Sequence, residues 1–351
     1  MHLLARVQGC RLAALCCGIK MARILVTGAS GFIGSHVVAN LAEQGHEIVA
    51  TGRSQKDLDR LGNTIARISK TDLCLDVLEP LTDGCEFVVH CAALSSPWDR
   101  AENFWHANVI ATERLLAASQ RTGVRRFVHM GSPSIYFRFA DQYLVDESFN
   151  APQKWITQYA RSKWESELRV QAASRSGMET LVLRPRAVFG ERDRAILPRL
   201  LAIAEKGWFP LIHRGNAIID VTYVANVARS VSDSLIADIV TDGRAYNITN
   251  GEPISVYELV TRLFLALDKD VRLIPVPRSI ALGMAGVAER IAKLRSGTPE
   301  PRLTRYGVGV IGYSQTLDIS RARRELNYSP TVSINDGLAR FAQWWRQNAA
   351  T

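Results

Sequence analysis

From residue 21 to about residue 188, short apolar runs alternate with longer stretches in which apolar residues recur at helical spacing. The short runs span residues 24–26, 48–50, 87–90, 127–130 and 181–183. Apolar runs of this length are typical of strands that are buried on both faces. Between them, residues such as Ile33, Val37 and Leu41 repeat every three or four positions, which predicts helices. Strands that alternate with helices predict a doubly wound α/β domain around a parallel sheet.

The pattern changes after residue 189, where prolines interrupt shorter helical stretches. Residues 245–248 still read as a strand. We therefore expect a two-lobed protein, with a disordered extension at 1–21 and a Rossmann-type domain at 22–188, to which 216–250 returns. Residues 189–215 and 251–346 would form a smaller C-terminal substrate-binding lobe.

Two segments leave alternatives open. The stretch 279–294 is apolar for ten residues and then basic, which suits a core helix, a substrate lid or a membrane-surface helix. The apolar run 12–19 near the N-terminus is too short to span a bilayer. We interpret the N-terminal segment as a disordered extension, such as one read from an upstream start codon, with a signal or membrane anchor as the alternative.

Composition adds two constraints. The chain has 351 residues, 47% of them hydrophobic, and a formal net charge of +9, which would suit nucleic acid, a membrane surface or a phosphorylated ligand. The six cysteines include no C-x-x-C pair, so we expect reduced thiols, no metal site and a cytoplasmic location. Cys91 lies in an apolar run and reads as a core residue, with a catalytic thiol as the alternative.

The first strand leads directly into a glycine-rich turn, Thr-Gly-Ala-Ser-Gly-Phe-Ile-Gly at residues 27–34. In such a turn Gly28 permits a sharp reversal, Gly31 lets the backbone approach a pyrophosphate, and Gly34 lets the helix pack close to the strand. The helix N-terminus then faces the phosphates. We therefore predict a dinucleotide site formed by Gly28, Ser30, Gly31, Phe32, Ile33 and Gly34.

The end of the second strand indicates the type of dinucleotide. NAD-preferring proteins place an acidic residue there, but this chain has Gly52 and then Arg53, a candidate ligand for a 2′-phosphate. We therefore predict NADP(H), with NAD as the alternative. Further candidate contacts follow the next two strands: Asp72, Leu73, Ala92 and Ala93.

Tyr159 and Lys163 are four residues apart in a predicted helix, so they share one face. A neighbouring cation favours the ionised form of a phenol, so we expect Lys163 to make Tyr159 a usable acid or base. Ser132 follows the fifth strand at the edge of the sheet where ligands bind, and it is our candidate to hold the reacting oxygen. Ser134 is the alternative.

These motifs resemble the extended branch of the short-chain dehydrogenase/reductase superfamily. The glycine turn and Tyr159-x-x-x-Lys163 carry the resemblance, together with Asn108-Val-Ile-Ala-Thr and Arg184-Pro-Arg-Ala-Val-Phe-Gly. The resemblance spans about residues 24–345. It implies that Ser132, Tyr159 and Lys163 are catalytic with support from Asn108, and that Pro185 and Val188 contact the cofactor.

Within that branch the chain looks most like the 3β-hydroxysteroid dehydrogenase group, including the sterol-4-carboxylate 3-dehydrogenases. Segments 131–137, 220–227 and 246–253 carry this resemblance. Three positions depart from the family pattern: Gly131 stands where a second Ser or Thr is common, Ala111 replaces a Gly, and Gly52-Arg53 replaces an acid.

The sequence therefore predicts an NADP(H)-dependent oxidoreductase that interconverts a secondary alcohol and a ketone on an apolar substrate, either sterol-like or a β-hydroxy or β-keto acid. Candidate pocket walls are Trp98, Trp105, Phe137, Phe139 and Phe189. A nucleotide-sugar epimerase or dehydratase is the first alternative, in which Arg192, Arg194 and Arg199 could bind a diphosphate. A non-catalytic dinucleotide sensor or RNA-binding protein is the second.

We also expect a homodimer, the usual habit of this fold. We expect no nucleic-acid partner, because the chain has no basic cluster interleaved with aromatics. For the same chain we expect no integral membrane span, although a weak association with a membrane surface is compatible with the stretch 279–294.

Overall fold

A computed structural model describes residues 21–62, 65–96, 98–294, 299–301 and 303–348. The expectations for residues 1–20 lie outside the described residues. In chain order, the strands are β1 (Arg23–Thr27), β2 (Glu47–Gly52), β3 (Arg67–Lys70), β4 (Phe87–His90), β5 (Arg126–Met130), β6 (Gln142–Val145), β7 (Glu179–Pro185), β8 (Val188–Phe189), β9 (Trp208–Ile212), β10 (Ile218–Ile219), β11 (Thr222–Tyr223), β12 (Asp242–Ile248), β13 (Ile254–Ser255), β14 (Arg272–Val276) and β15 (Gln315–Leu317).

The α-helices follow the same order. They are α1 (Phe32–Glu43), α2 (Gln55–Asp59), α3 (Glu79–Thr82), α4 (Ala101–Phe104), α5 (Ala111–Arg121), α6 (Gln158–Arg175), α7 (Leu197–Ala204), α8 (Val224–Ile236), α9 (Val256–Ala266), α10 (Arg278–Leu294), α11 (Arg305–Gly312), α12 (Ser320–Glu325) and α13 (Ile334–Asn348). A π-helical segment, Trp105–Ile110, joins α4 to α5, and 3-10 helices cover Pro133–Tyr136 and His213–Gly215.

Seven of the described strands form one parallel sheet in the order β12-β7-β5-β4-β1-β2-β3. This arrangement confirms the predicted Rossmann-type α/β fold. The two faces of the sheet have separate cores, as the alternation of side chains along a strand requires. Ile24 and Val26 pack with α1 and α8, whereas Leu25 packs on the opposite face with α5 and α6.

A smaller lobe is built on a second core. Its short strands pair as β13-β10-β15-β6, β14-β9 and β11-β8, and its helices include α7, α9 and α13. Some helices of this lobe begin at a side-chain cap, since Ser255 accepts the N–H of Glu258 at the start of α9 and Thr304 accepts that of Gly307 in α11. The lobe lies on the side of the sheet to which the loops after β5 and β7 lead.

The division of the chain into lobes remains a proposal, and the packing refines it. Strand β12 pairs with β7, and α8 packs on α1. However, Ile319, Ala322 and Tyr328 pack into the core of the main sheet, although they lie within the segment 251–346 that we placed in the small lobe. Strand β6 pairs with β15 of the small lobe, although it precedes residue 188.

Helix α10 covers the stretch 279–294, and it is buried on one side only. Ala281, Ala285 and Ala292 are buried, and the first two pack with Val308 of α11. Five large apolar side chains on α10 are exposed, namely Ile280, Met284, Val287, Ile291 and Leu294. The packed face of the helix is formed by these alanines and the partly buried Leu282, and the opposite face is exposed. Among the described residues, no helix combines the length and the hydropathy that a bilayer span requires.

Candidate active site

The glycine-rich turn has the geometry that a dinucleotide requires. Gly28 adopts a φ of +63°, and a Cβ there would lie 2.8 Å from the backbone of Ala92. A Cβ on Gly34 would lie 2.1 Å from the Gly28 oxygen, so only glycine lets α1 pack this close to β1. Gly31 precedes Phe32 and offers no side-chain cap, so the first N–H groups of α1 are free to bind phosphate. These residues fit a bound pyrophosphate.

Arg53 lies just beyond the end of β2, next to this turn. Its side chain is exposed and makes no hydrogen bond or ion pair with the described residues. A Cβ on the neighbouring Gly52 would lie 3.1 Å from the Ser30 Oγ, so β2 ends directly beside the glycine turn. An unpaired cation at this position suits a 2′-phosphate.

The other predicted cofactor residues have distinct environments. The Asp72 carboxylate accepts the N–H of Cys74 at 2.8 Å, and Leu73 packs into the sheet core. Their contact with a cofactor stays a prediction. Ala92 donates its N–H to the Thr27 hydroxyl at 3.2 Å, which holds the loop after β4 against β1. Burial raises the pKa of the neighbouring Cys91 thiol to about 12, which opposes a role as a nucleophile.

Asn108 links this loop to the helix that carries the predicted catalytic pair. The π-helical segment turns its buried amide inward. The Asn108 Oδ1 accepts the N–H of Leu94 at 2.7 Å, and its Nδ2 donates to the Ser162 Oγ at 2.9 Å. Ser162 in turn donates to the carbonyl of Tyr159 at 2.8 Å. Asn108 therefore fixes the 92–95 loop relative to the first turn of α6.

Tyr159 and Ser132 lie together at the carboxyl edge of the sheet. The Thr157 side chain caps α6, so Tyr159 occupies its first turn. The phenol is hydrogen-bonded to Ser132 and to Ser95, which our sequence analysis did not identify. Burial raises the pKa of Tyr159, and the two hydrogen bonds oppose this effect only in part. The phenol is therefore protonated at neutral pH.

Ser134, the alternative to Ser132, lies deeper than Ser132. Its hydroxyl accepts a hydrogen bond from the Ser132 Oγ at 2.9 Å, and its N–H donates to the same oxygen at 3.3 Å. Ser134 is buried, whereas Ser132 is partly exposed. The structure thus places Ser132 beside the phenol and Ser134 behind it.

Lys163 is buried against the end of β5. Its side chain is only 2% exposed, and the ammonium donates to the carbonyl of Met130. Burial lowers the pKa of Lys163 to about 8, opposed by the charge of Glu167. Burial raises the pKa of the Tyr159 phenol, and the effect of the Lys163 cation on this phenol stays a prediction.

A buried ion pair explains the departure at Gly131. Arg184 and Glu167 are 2% and 0% exposed, and their guanidinium and carboxylate pair directly. A Cβ on Gly131 would lie 2.4 Å from the Glu167 Oε1 and 2.6 Å from Val182. A serine or threonine therefore does not fit here, because the Glu167 carboxylate occupies its space. Arg184 also donates to the Tyr136 hydroxyl, so the pair anchors the 3-10 helix that follows Ser132.

Arg186 and Tyr306 also belong to this region, and our sequence analysis missed both as site residues. Arg186 follows β7 and is 5% exposed. The sequence feature that could have identified it is its charge directly after the Arg-Pro pair. Burial raises the pKa of Tyr306 to about 12, and the charges of Arg186 and Tyr159 also affect it. No sequence signal could join Tyr306 to a tyrosine that far away along the chain.

The candidate pocket walls divide into three groups. The Phe137 ring lies 5.2 Å from those of both Phe139 and Tyr306, so these three form an aromatic cluster beside the site. Phe189 packs into the small-lobe core, so it is not a pocket wall. Trp105 lines a separate cavity of about 370 Å³, and the Lys293 ammonium lies 6.0 Å from the centre of the Trp98 ring.

The arginines considered for a diphosphate are not assembled into one site. Arg199 pairs with Glu300 at 3.1 Å on the surface, and Arg192 and Arg194 are exposed. Pro185 and Val188 flank Arg186 at the end of β7, next to the loop of Ser132. Within the described ranges, no group of His, Cys, Asp or Glu side chains could hold a metal ion.

Comparison with known proteins gives a consistent result. Residues 24–249 match the model of the NAD dependent epimerase/dehydratase family. The chain is 32% identical to a 2-alkyl-3-oxoalkanoate reductase of Stenotrophomonas maltophilia, over 91% of this chain and 98% of the relative. It is 27% identical to the human sterol-4-alpha-carboxylate 3-dehydrogenase, decarboxylating, over 92% of this chain and 88% of the relative.

A solved structure shows the same fold. The crystal structure of UDP-glucuronic acid 4-epimerase from Bacillus cereus, in complex with NAD, superimposes with a TM-score of 0.74 at 22% identity. The match covers 93% of this chain and 96% of that one. At this identity the likeness concerns the Rossmann-type fold and not the substrate.

Proposed function

Since the chain belongs to the NAD dependent epimerase/dehydratase family, we propose that it is an NADP(H)-dependent oxidoreductase that interconverts a secondary alcohol and a ketone on a mostly apolar substrate. It is an enzyme of the extended short-chain type, whose members are named as reductases and dehydrogenases of CH–OH groups. One observation carries the proposal: a protonated phenol, Tyr159, is hydrogen-bonded to two serines beside a dinucleotide-binding turn.

In this mechanism the nicotinamide supplies or accepts the hydride when it is bound. The chain's own residues manage the oxygen and the proton. Ser132 and Ser95 lie beside the phenol, so they can hold the substrate oxygen by hydrogen bonds. Tyr159 donates its proton to that oxygen during reduction and takes it back during oxidation.

Lys163 and Asn108 have supporting roles in the proposal. The Lys163 cation is held below Ser132 by the Met130 carbonyl, so its charge is close to the site without a direct bond to the phenol. Asn108 holds the loop of Ser95 against α6 through Leu94 and Ser162. Both residues therefore position the reacting groups.

The aromatic cluster of Phe137, Phe139 and Tyr306 supports an apolar substrate, because it provides a rigid apolar wall beside the phenol. The named relatives act on a 2-alkyl-3-oxoalkanoate and on a sterol 4-carboxylate. Both substrates are largely hydrocarbon, and both carry a carboxylate on the carbon next to the reacting one. The substrate classes that we propose are therefore sterol-like alcohols and β-hydroxy or β-keto acids.

Arg53 supports the choice of NADP(H) over NAD. Its exposed guanidinium has no partner among the described residues, and Gly52 leaves no carboxylate at this position to repel a phosphate. Arg53→Ala should lower the ratio of NADPH to NADH affinity by about tenfold or more, the effect of one charge-assisted bidentate contact. Arg60→Ala, which removes an exposed arginine of the same region, should leave the ratio unchanged. An unchanged ratio in Arg53→Ala would overturn the assignment of Arg53 as the ligand of the 2′-phosphate.

The direct test is the absorbance of NADPH over time with the purified enzyme and three substrate classes: 3-ketosteroids, β-keto acids and UDP-sugars. We expect oxidation of NADPH with one of the apolar ketones and its loss in Tyr159→Phe. Conversion of a UDP-sugar without net cofactor turnover would contradict the proposal and would favour an epimerase. A cytoplasmic location and a homodimer are further parts of the proposal, the latter to be measured by light scattering.

A further inference from the structure

Arg186 stands at the carboxyl edge of the sheet, next to the catalytic serine. Met130 pairs with Leu183, so Ser132 and Pro185 lie at the same level and Arg186 lies one residue beyond. Its N–H donates to the carbonyl of Ile248 at 3.0 Å, which fixes its backbone between β7 and β12. Side chains along β7 alternate between the two faces of the sheet. Val182 and Arg184 lie on the face that packs against α6, and Arg186 is the next residue in this alternation.

The guanidinium of Arg186 is buried without a partner. The residue is 5% exposed, and its Nε is buried with no hydrogen bond. Within the described residues, the side chain of Arg186 forms no hydrogen bond and no ion pair. By contrast, the guanidinium of Arg184, near the end of β7, is neutralised by the Glu167 carboxylate.

The nearest acid does not neutralise Arg186. Asp220 contributes electrostatically, but its carboxylate accepts the N–H of Leu317 at 2.7 Å and forms no ion pair with the guanidinium. Burial raises the pKa of Asp220 to about 6, so its carboxylate loses its charge below that pH. Burial also lowers the pKa of Arg186, as expected of a cation that lacks a close anion.

Tyr306 connects this cation to the reacting groups. The charges of both Arg186 and Tyr159 act on the Tyr306 phenol, so the three side chains are neighbours. Its ring packs on Phe137, which forms part of the apolar wall. A ligand whose oxygen reaches Tyr159 would therefore lie near Tyr306 and Arg186.

A buried arginine without a partner is costly, and proteins keep such a group where a ligand supplies the missing anion. The planar guanidinium favours a carboxylate, which it can bind by two parallel hydrogen bonds. We propose that Arg186, assisted by the Tyr306 hydroxyl, binds a substrate carboxylate on the carbon next to the reacting one. This inference rests on the proposed function and narrows its substrates to β-hydroxy acids and the corresponding β-keto acids.

The reaction balances without a further reactant. The C–H bond at the carbinol carbon breaks and its hydride passes to NADP⁺, while the O–H proton passes through Tyr159 to solvent. A β-hydroxy acid and NADP⁺ thus give a β-keto acid, NADPH and a proton. The carboxylate makes and breaks no covalent bond, so its role is recognition.

The test compares 3-hydroxydodecanoate with its methyl ester, because the ester keeps the alkyl chain and the hydroxyl group but removes the negative charge of the carboxylate. Oxidation is measured by NADPH formation in wild type, Arg186→Met and Arg186→Lys. We expect wild type to prefer the acid by about 100-fold or more in kcat/KM, as for a charge-assisted bidentate contact. Arg186→Met should lose this preference for the acid and retain turnover of the ester. Arg186→Lys should keep part of the preference for the acid. Arg175→Met, at an exposed arginine far from the site, is the matched control.

A second readout does not depend on turnover. Calorimetry measures the binding of dodecanoate and of dodecanamide to the full chain with NADP⁺, and only the carboxylate should require Arg186. Arg186→Met should also melt no lower than wild type without ligand, because it removes a buried charge without a partner. If Arg186→Met does not fold, Arg186→Lys still reports on the cation, because it keeps the charge and loses the two-bond geometry.

The possible results separate this inference from the proposed function. Turnover without discrimination between acid and ester, or discrimination that survives in Arg186→Met, overturns the carboxylate site and leaves the oxidoreductase intact. Binding of dodecanoate that depends on Arg186, without turnover of any alcohol, supports the carboxylate site and overturns the proposed function. The absence of both effects overturns both proposals.

Discussion

The ammonium of Lys163 donates to the carbonyl of Met130, although Tyr159 lies one helical turn before it on the same face of α6. The lysine is therefore held against the end of β5, directly below the serine loop. The phenol instead bonds to Ser132 and Ser95 and remains protonated. A protonated phenol is the state that the proposed carbonyl reduction requires.

The protonation state of Tyr159 predicts that kcat/KM depends on pH differently for reduction and for oxidation. Because burial raises its pKa, the phenol stays protonated from pH 6 to 9, and kcat/KM for reduction should stay flat in that range. Oxidation needs the phenolate, so its kcat/KM should rise about tenfold per pH unit until the phenol titrates. Tyr159→Phe should lower kcat by about 10²- to 10⁴-fold in both directions. The control Tyr257→Phe changes an exposed tyrosine and should have no effect on kcat. A reduction rate that falls between pH 6 and 8 would contradict the assignment of Tyr159 as the proton donor.

The burial of Lys163 predicts a stability effect with a defined sign. Its folded pKa is about 8, below the ordinary value of 10.5, so between these values the unfolded chain binds more protons than the folded one. The free energy of unfolding therefore gains a contribution as the pH rises through this window. Relative to Lys163→Met, wild type should gain about 3 kcal/mol between pH 8 and pH 10.5.

Urea denaturation of the two proteins across this pH range measures the effect. The neighbouring His90 and His129 do not interfere, because burial lowers the pKa of each, to about 3 for His90 and well below its ordinary value for His129. A stability difference that does not change with pH would show that Lys163 titrates at its ordinary value in the folded protein.

The buried pair of Glu167 and Arg184 predicts a large asymmetric effect on stability. Glu167→Gln leaves the Arg184 guanidinium buried without its anion, so we expect a loss of about 3–5 kcal/mol in the free energy of unfolding. The double variant Glu167→Leu/Arg184→Met should recover much of this loss, because it removes both charges. The control Glu165→Gln changes a more exposed carboxylate of the same helix and should cost less than about 0.5 kcal/mol. Urea denaturation of all four proteins tests these values.

Serine or threonine is common at the position of Gly131 in the family that the sequence resembles. We expect that neither is tolerated in this protein. Gly131→Ser places a Cβ within 2.4 Å of the Glu167 carboxylate, so the pair must shift and we expect a loss of stability. For overpacking of a buried site the loss is about 1–3 kcal/mol. Gly283→Ala, where a Cβ meets no atom within 4 Å, is the matched control and should be neutral or slightly stabilising. Equal melting temperatures for Gly131→Ser and wild type would contradict this account.

The order of the main elements could be predicted because it depends on local patterns. Each buried strand is a short apolar run, and the glycine turn requires particular residues at positions 28, 31 and 34 wherever the motif occurs. Strand β12 could be placed for the same reason, from its apolar run at 245–248. The position of Ile319 and Tyr328 could not, because nothing near them in sequence shows that they pack beneath the main sheet.

The sequence by itself determined the parallel α/β fold, the dinucleotide-binding turn and the one-turn spacing of Tyr159 and Lys163, because these follow from periodicities of two to five residues. Only the tertiary structure decided which partner each charged group has. Lys163 meets the Met130 carbonyl, Arg184 meets Glu167, and Arg186 meets no anion among the described residues. The physical reason is that burial and electrostatic pairing depend on groups brought together from distant parts of the chain, and a linear pattern does not contain those distances.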